Sequence, residues 1–268
     1  IQKETVLPVE KRLEGIYSEK DSGTLMKNGA PGFDLEYASD DQYMRQYDIT
    51  NEDVLKNELY AERFDDRNYA AIRALSFQDI RVADREAEQP DIFPEAEASF
   101  IGNPNGLLGG TWRADVSSLG LLRDGNGADS YRVTGDVGWK KRYVTKWGLV
   151  NTLDLSVRGD AYASNDVNQN NDTDDRDTRA FPTAHFVTQL PLVKPIRPTT
   201  KAVIEPMVAL TARTNISENS SIPNEDSEDV QIDASNLFEA DRFPGYDRVE
   251  DKAHVTYGLR TGIYEDDG

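Results

Sequence analysis

The stretch that decides the fold is LVNTLDLSVRGDAY, residues 149–162. Its odd positions are Leu149, Asn151, Leu153, Leu155, Val157, Gly159 and Ala161; its even positions are Val150, Thr152, Asp154, Ser156, Arg158, Asp160 and Tyr162. Side chains alternate across a strand, so the odd set makes a largely apolar face and the even set a face that carries the charges. The run exceeds the ~5–6 residues of a usual globular strand. It covers the ~9–11 residues that a tilted strand needs to cross a bilayer.

The same rhythm recurs on both sides. Residues 54–64 and 69–82 read as a hairpin turning at 65–68, and residues 92–101 pair with 107–122 across the turn 102–106. Trp112, Ala114 and Val116 alternate with Arg113, Asp115 and Ser117, and Val133, Val137 and Trp139 alternate with Thr134, Asp136 and Lys140. Residues 32–38, 181–193, 200–214 and 254–264 complete a set of about ten strands with no amphipathic helix between them. Upstream, residues 1–31 are polar and irregular, with one weak strand at 13–18; residues 32–268 read as one partial barrel domain. The chain starts at Ile1 with no apolar signal core after it, so it is expected to be a processed product or an excerpt.

Two connections are long and polar: residues 164–179, rich in Asn and Asp, and residues 217–229, rich in Glu and Asp. The turns at 65–68 and 124–127 are shorter and are expected at the opposite end of the strands. Long loops at one end and short turns at the other are the layout of an outer-membrane barrel. Trp139, Tyr143 and Trp147 flank the turn at 144–146, where amphipathic rings would meet a membrane interface. The fold class expected is therefore all-β, an antiparallel transmembrane β-barrel segment of a larger outer-membrane barrel.

Composition narrows the function. Across 268 residues, 49 acidic and 30 basic side chains leave a net charge of −19, a field that repels nucleic acid. There is no cysteine, which excludes disulfides, zinc–thiolate sites and thiol catalysis within the chain. No run of ~18 apolar residues exists to form a transmembrane helix, a test that barrel strands do not have to pass. Catalytic signatures are missing too: no nucleophile elbow, phosphate loop or dinucleotide fingerprint is found. The two histidines, His185 and His254, sit on separate strands. Asp172, Asp174 and Asp177 lack the glycine and glutamate of a calcium loop, and Arg176 stands where an oxygen ligand belongs. The expectation is a non-enzymatic protein with no cofactor and no metal site.

The segment FPGYDRVED at 243–251, followed by the strand VTYGLR at 255–260, resembles the large C-terminal barrel of the LptD family of lipopolysaccharide-assembly outer-membrane proteins, in the form seen in alphaproteobacteria-like sequences. SDDQYMR at 39–45, GLLGG at 106–110, RGDAY at 158–162, IEP at 204–206 and NLFEADRF at 236–243 fit the same pattern in the same order, and the resemblance covers roughly residues 32–268. It implies a barrel in the cell outer membrane that inserts lipopolysaccharide into the outer leaflet. Its partners would be a plug lipoprotein inside the barrel (LptE-like) and a periplasmic bridge of jelly-roll proteins (LptA-like), reached through a domain with no counterpart in this sequence. Lipid would leave by a lateral opening between first and last strands, expected outside this chain.

Within that frame Gly245, Tyr246, Asp247 and Arg248 are the structural motif. Gly245 permits the turn, and the Asp–Arg pair organises a loop that folds into the lumen or caps it rather than contacting lipid phosphate. Arg113, Asp136, Asp154, Arg158 and Asp160 are the polar strand positions expected to face the lumen or the plug, because a basic residue at mid-membrane costs about 2–4 kcal/mol when turned to lipid. The alternatives are a general channel or receptor barrel, and a secreted carbohydrate-binding or hydrolytic β domain.

Overall fold

The computed structural model describes residues 13–16, 29–37, 53–80, 90–123, 128–165, 175–214, 222–227 and 232–265. The motif at 39–45, the turn at 124–127 and the aspartates at 172 and 174 lie outside them. Among the described residues, twelve strands form one sheet. They are β1 (Leu13–Ile16), β2 (Gly29–Leu35), β3 (Val54–Asp65), β4 (Asn68–Asp79), β5 (Asp91–Ile101), β6 (Thr111–Leu122), β7 (Ser130–Val144), β8 (Val150–Ser164), β9 (Asp175–Gln189), β10 (Leu192–Arg197), β11 (Thr200–Arg213) and β12 (His254–Glu265). The first three residues expected in β6 instead form a short 3-10 turn, Leu107–Gly109.

Pairing follows chain order from β1 to β9. Residues 200–211 of β11 pair along one edge with β12. On its other edge β11 meets β9 through residues 207–213 and β10 through residues 200–204. The strand expected at 181–193 is thus two strands, interrupted at Leu190 and Pro191. At the interruption the Leu190 amide donates to the Pro206 carbonyl at 3.1 Å, and proline has no N–H to return. The sheet remains open, with β1 and β12 as its last strands in this pairing.

The distribution of polarity is the reverse of a water-soluble fold. Arg132, Thr134, Asp160, His185, Glu205 and Thr211 are buried, whereas Val137, Val157, Leu210 and Leu259 are exposed, Val157 at 57%. The buried apolar cluster among the described residues consists of Leu55 and Ile80. In β8 the even set Asp154, Arg158 and Asp160 lies on the less exposed face and the odd set Leu155, Val157 and Ala161 on the exposed one. β11 repeats this with exposed even positions and buried odd ones from Glu205 to Thr211. A soluble sandwich would bury these apolar faces against a second layer. A sheet that meets hydrocarbon outside and polar groups inside shows the arrangement seen here.

Two compact units can be distinguished: residues 1–100, 116–133 and 162–176, and residues 101–115, 134–161 and 177–268. In the first, β3, β4 and β5 share a polar face on which Arg73 lies 3.3 Å from Glu62 and 3.9 Å from both Glu58 and Glu95. Leu59 and Ile72 occupy its exposed face. The second unit contains the candidate site.

Strand direction fixes which connections share an end. With consecutive antiparallel neighbours, the connections 66–67, 102–110, 145–149 and 198–199 leave from one end. The connections 80–90, 123–129, 165–174 and 214–253 leave from the other. The connection from β6 to β7 therefore leaves from the same end as the long polar connections, not opposite them.

The face assignment makes a direct prediction. Leu153 lines an apolar groove with Phe186, Leu210 and Val255, so Leu153→Arg places a charge toward lipid at a cost of about 2–4 kcal/mol near mid-membrane. The urea-resistant membrane fraction should be lost for Leu153→Arg and retained for Asp154→Asn. Equal tolerance at the two positions would refute the orientation.

Candidate functional site

The polar face of the second unit is built around arginines that cross strands. Arg113 on β6 reaches over β7 to donate to both carboxylate oxygens of Asp154 on β8, at 2.8 and 3.0 Å. On the way it passes 3.4 Å from Asp136. The crossing is open because position 138 is glycine: a Cβ there would sit 2.5 Å from the guanidinium carbon of Arg113. Three of the five polar strand candidates, Arg113, Asp136 and Asp154, are thereby one cluster.

The other two belong to a second cluster. The Asp160 side chain is fully buried. Its carboxylate accepts from Arg158 at 2.8 and 3.0 Å and from Arg179 on β9 at 2.6 Å. Both guanidinium groups also donate to the Tyr246 carbonyl, and Arg179 donates to the Asp247 carbonyl at 2.7 Å. Arg158 further lies over the rings of Phe181 and Tyr246, 5.5 and 5.1 Å from their centroids. Charged hydrogen bonds of this kind are the strong class, and the two cations satisfy a carboxylate that would otherwise be costly to bury.

What they hold is the connection between β11 and β12. Residues 232–250 fold back as a strap against the polar face. Arg213, at the end of β11, donates to Thr183 at 2.9 Å, to the Asp241 carboxylate at 3.0 Å and to the Glu250 carbonyl at 2.7 Å. Arg242 pairs with Glu250 within the strap. Strap residues Ala234, Phe238 and Asp241, together with Arg113, Asp154, Arg158 and His185 of the sheet, enclose a cavity of about 670 Å³. His185 there meets the Thr211 hydroxyl at 2.9 Å through Nδ1.

The Pro-Gly turn has a local reason. Gly245 has φ +76°, and a Cβ on it would lie 2.4 Å from the Asp226 carbonyl oxygen. The Asp226 carboxylate accepts from the amides of Tyr246 and Asp247 at 3.0 and 3.1 Å. In return the Asp247 carboxylate accepts from the amides of Glu225 and Asp226 at 2.7 and 3.1 Å. The Ser227 hydroxyl accepts from the amides of Asp247 and Arg248. Asp247 thus fastens two connection segments to each other. Outside the strands, Asp233 is held below the usual carboxylate range by hydrogen bonds from the Ser235 hydroxyl and amide.

No group of three metal-ligating side chains occurs among the described residues. The chemistry of the arrangement is that of a polar cavity under a latched strap on a sheet with an apolar outer face. Residues 14–268 match the family LPS transport system D, LptD. The chain belongs to the LptD family. No curated protein matched it. LptD proteins are lipopolysaccharide-transport proteins of the outer membrane, and the strand-rich, inverted sheet accords with that family.

Among the stretches that carried the resemblance, 243–251 holds the strap's turn and 236–243 its preceding arm, while 158–162 supplies the buried Arg158–Asp160 pair beside the turn, and Arg213 holds the arm at Asp241. Arg179, Arg213 and Asp241 were not singled out from sequence. Their signal was available in part: Arg179 and Arg213 fall on the inner register of β9 and β11, Arg213 as the charged residue that ends an apolar run and Arg179 close behind the charged run Asp175–Asp177.

Two substitutions test the latch. Asp160→Asn leaves Arg158 and Arg179 without their shared anion and should destabilise the unit by about 3 kcal/mol. Gly245→Ala should drive the turn off Asp226. Limited proteolysis of either variant in detergent should cut within 232–250 faster than in the unaltered protein, and unchanged cutting in both would show the strap is held elsewhere.

Proposed function

We propose that this chain is the arc of an outer-membrane barrel through which lipopolysaccharide is inserted into the outer leaflet, with the polar face turned to the lumen and to a plug lipoprotein. The observation that carries this is the inversion of the sheet: charged pairs such as Arg158–Asp160 are buried while Val157, Leu210 and Tyr257 are exposed. A lipid with a bulky anionic sugar head and acyl tails needs a polar passage beside hydrocarbon, which an arc with these two faces supplies. The strap latched over the inner face narrows that passage and limits leakage. The five candidates Arg113, Asp136, Asp154, Arg158 and Asp160 act as its wall. Supply from the periplasm would come through a bridge of jelly-roll proteins.

In this reading the work is transport, and chemical turnover is not required of the site. Cells depleted of the protein should keep total lipopolysaccharide while losing the fraction reactive to a membrane-impermeant label at the surface. Complementation with the unaltered gene should restore labelling. Undiminished surface labelling on depletion would refute the proposal.

A further inference from the structure

Although the chain carries a net charge of −19, acids are absent from three stretches at one end of the second unit, where Glu265 at the end of β12, opposite Thr200, is the acid the neighbouring strand brings. No Asp or Glu occurs between Ile101 and Ala114, between Val137 and Leu153, or between Thr178 and Ile204. These stretches contain the connections 102–110, 145–149 and 198–199, which share the short-turn end. They are also neighbours: Lys141 Nζ donates to the Leu108 carbonyl at 3.1 Å, and a Cβ on Gly148 would lie 3.9 Å from Leu190. Lys141, Lys146, Lys194 and Arg197 lie in this belt, the last three exposed.

Their placement is what decides the partner. Exposed odd positions of β7 include Tyr131, Val133 and Val137, so Lys141 and Tyr143 belong to the same apolar face. Lys194 is opposite Ala202 and Leu192 opposite Ile204, on the exposed even register of β11. Trp147 is 85% exposed in the turn between β7 and β8. Cations thus interleave with aromatic and aliphatic side chains on the surface that faces hydrocarbon, at its last turn. A lysine there keeps its stem in the apolar layer and lifts its ammonium to the headgroups. An acidic protein would need all four cations gathered at the turns; Lys146 and Arg197 are there, but Lys141 and Lys194 stand on the exposed apolar face.

We propose that this end of β6–β11 is a lipid-binding girdle that selects anionic phospholipid headgroups of the adjoining leaflet; it rests on the membrane reading above. Short turns mark the periplasmic side of an outer-membrane barrel, so the leaflet concerned is the inner one. Basic groups near an anionic surface gain attraction that falls off within a Debye length.

The tryptophans make the test local. All three, Trp112, Trp139 and Trp147, lie in the acid-free stretches, so intrinsic fluorescence reports this end alone. The protein is reconstituted in phosphatidylcholine vesicles doped with equal fractions of brominated phosphatidylglycerol or brominated phosphatidylcholine, whose bromines quench nearby indoles. Phosphatidylglycerol should be preferred by about threefold or more at low salt, and the preference should vanish near 1 M salt, where the Debye length is ~3 Å. The variant Lys141→Gln, Lys146→Gln, Lys194→Gln and Arg197→Gln should quench equally with both lipids. If that variant does not fold, Lys146→Gln with Arg197→Gln, outside the central ladder, should at least halve the preference. Equal quenching by the two lipids in the unaltered protein, or a preference that survives all four substitutions, overturns the proposal and leaves the belt to an acidic protein surface. Quenching by neither lipid overturns the membrane reading as well.

Discussion

A strand that crosses hydrocarbon has no water to satisfy its amides, so every backbone donor and acceptor must find a neighbouring strand. Everything else in this chain depends on that demand. It forces long, regular ladders such as the β3–β4 and β11–β12 pairings. It leaves side chains as the only freedom, and alternation then divides them into two faces. Because the ladder supplies the cohesion, little apolar core is needed, and the buried cluster of Leu55 and Ile80 is correspondingly small.

The polar face solves a different problem, that of keeping half-buried charges satisfied. It does so by reaching across strands: Arg113 spans β7, and Asp160 is shared by Arg158 and Arg179. These links cross the direction of the ladder, adding ties that backbone hydrogen bonds cannot provide. They also recruit the strap. Arg158, Arg179 and Arg213 each use remaining donors on strap atoms, so the sheet's own pairing and the position of the connection are coupled through the same guanidinium groups.

Much of this was legible in the sequence because alternation is a local property. The period at 149–162 assigned both faces of β8 and placed Asp154, Arg158 and Asp160 on it, and the same alternation placed Arg113 on β6 and Asp136 on β7; the structure finds the five in two clusters. The strap was less legible. Its geometry rests on the reciprocal bonds of Asp226 and Asp247 across the chain, which leave no periodic trace, and on arginines of β8, β9 and β11 whose register shows their face but not the strap atoms they reach. Length misled in one place: the brief connection after β6 looked like a short-end turn, but the end is set by counting strand reversals, and the length of a loop does not enter that count. The division of β9 from β10 was hidden for a related reason, since Leu190-Pro191-Leu192 preserves the apolar run while removing a donor.

That division has a mechanical side. Pro206 accepts from Leu190 but cannot donate back, so the β9–β11 ladder lacks one bond at its last pair, where Pro191 ends β9. Elsewhere, bending the sheet would stretch bonds already made; here there are fewer to stretch. The row through Leu190 and Pro206 is therefore a crease, a line of low bending stiffness between the upper part of β9 and β10. A growing sheet that must curl as strands are added would concentrate its curvature along such a line, leaving the ladders on either side intact.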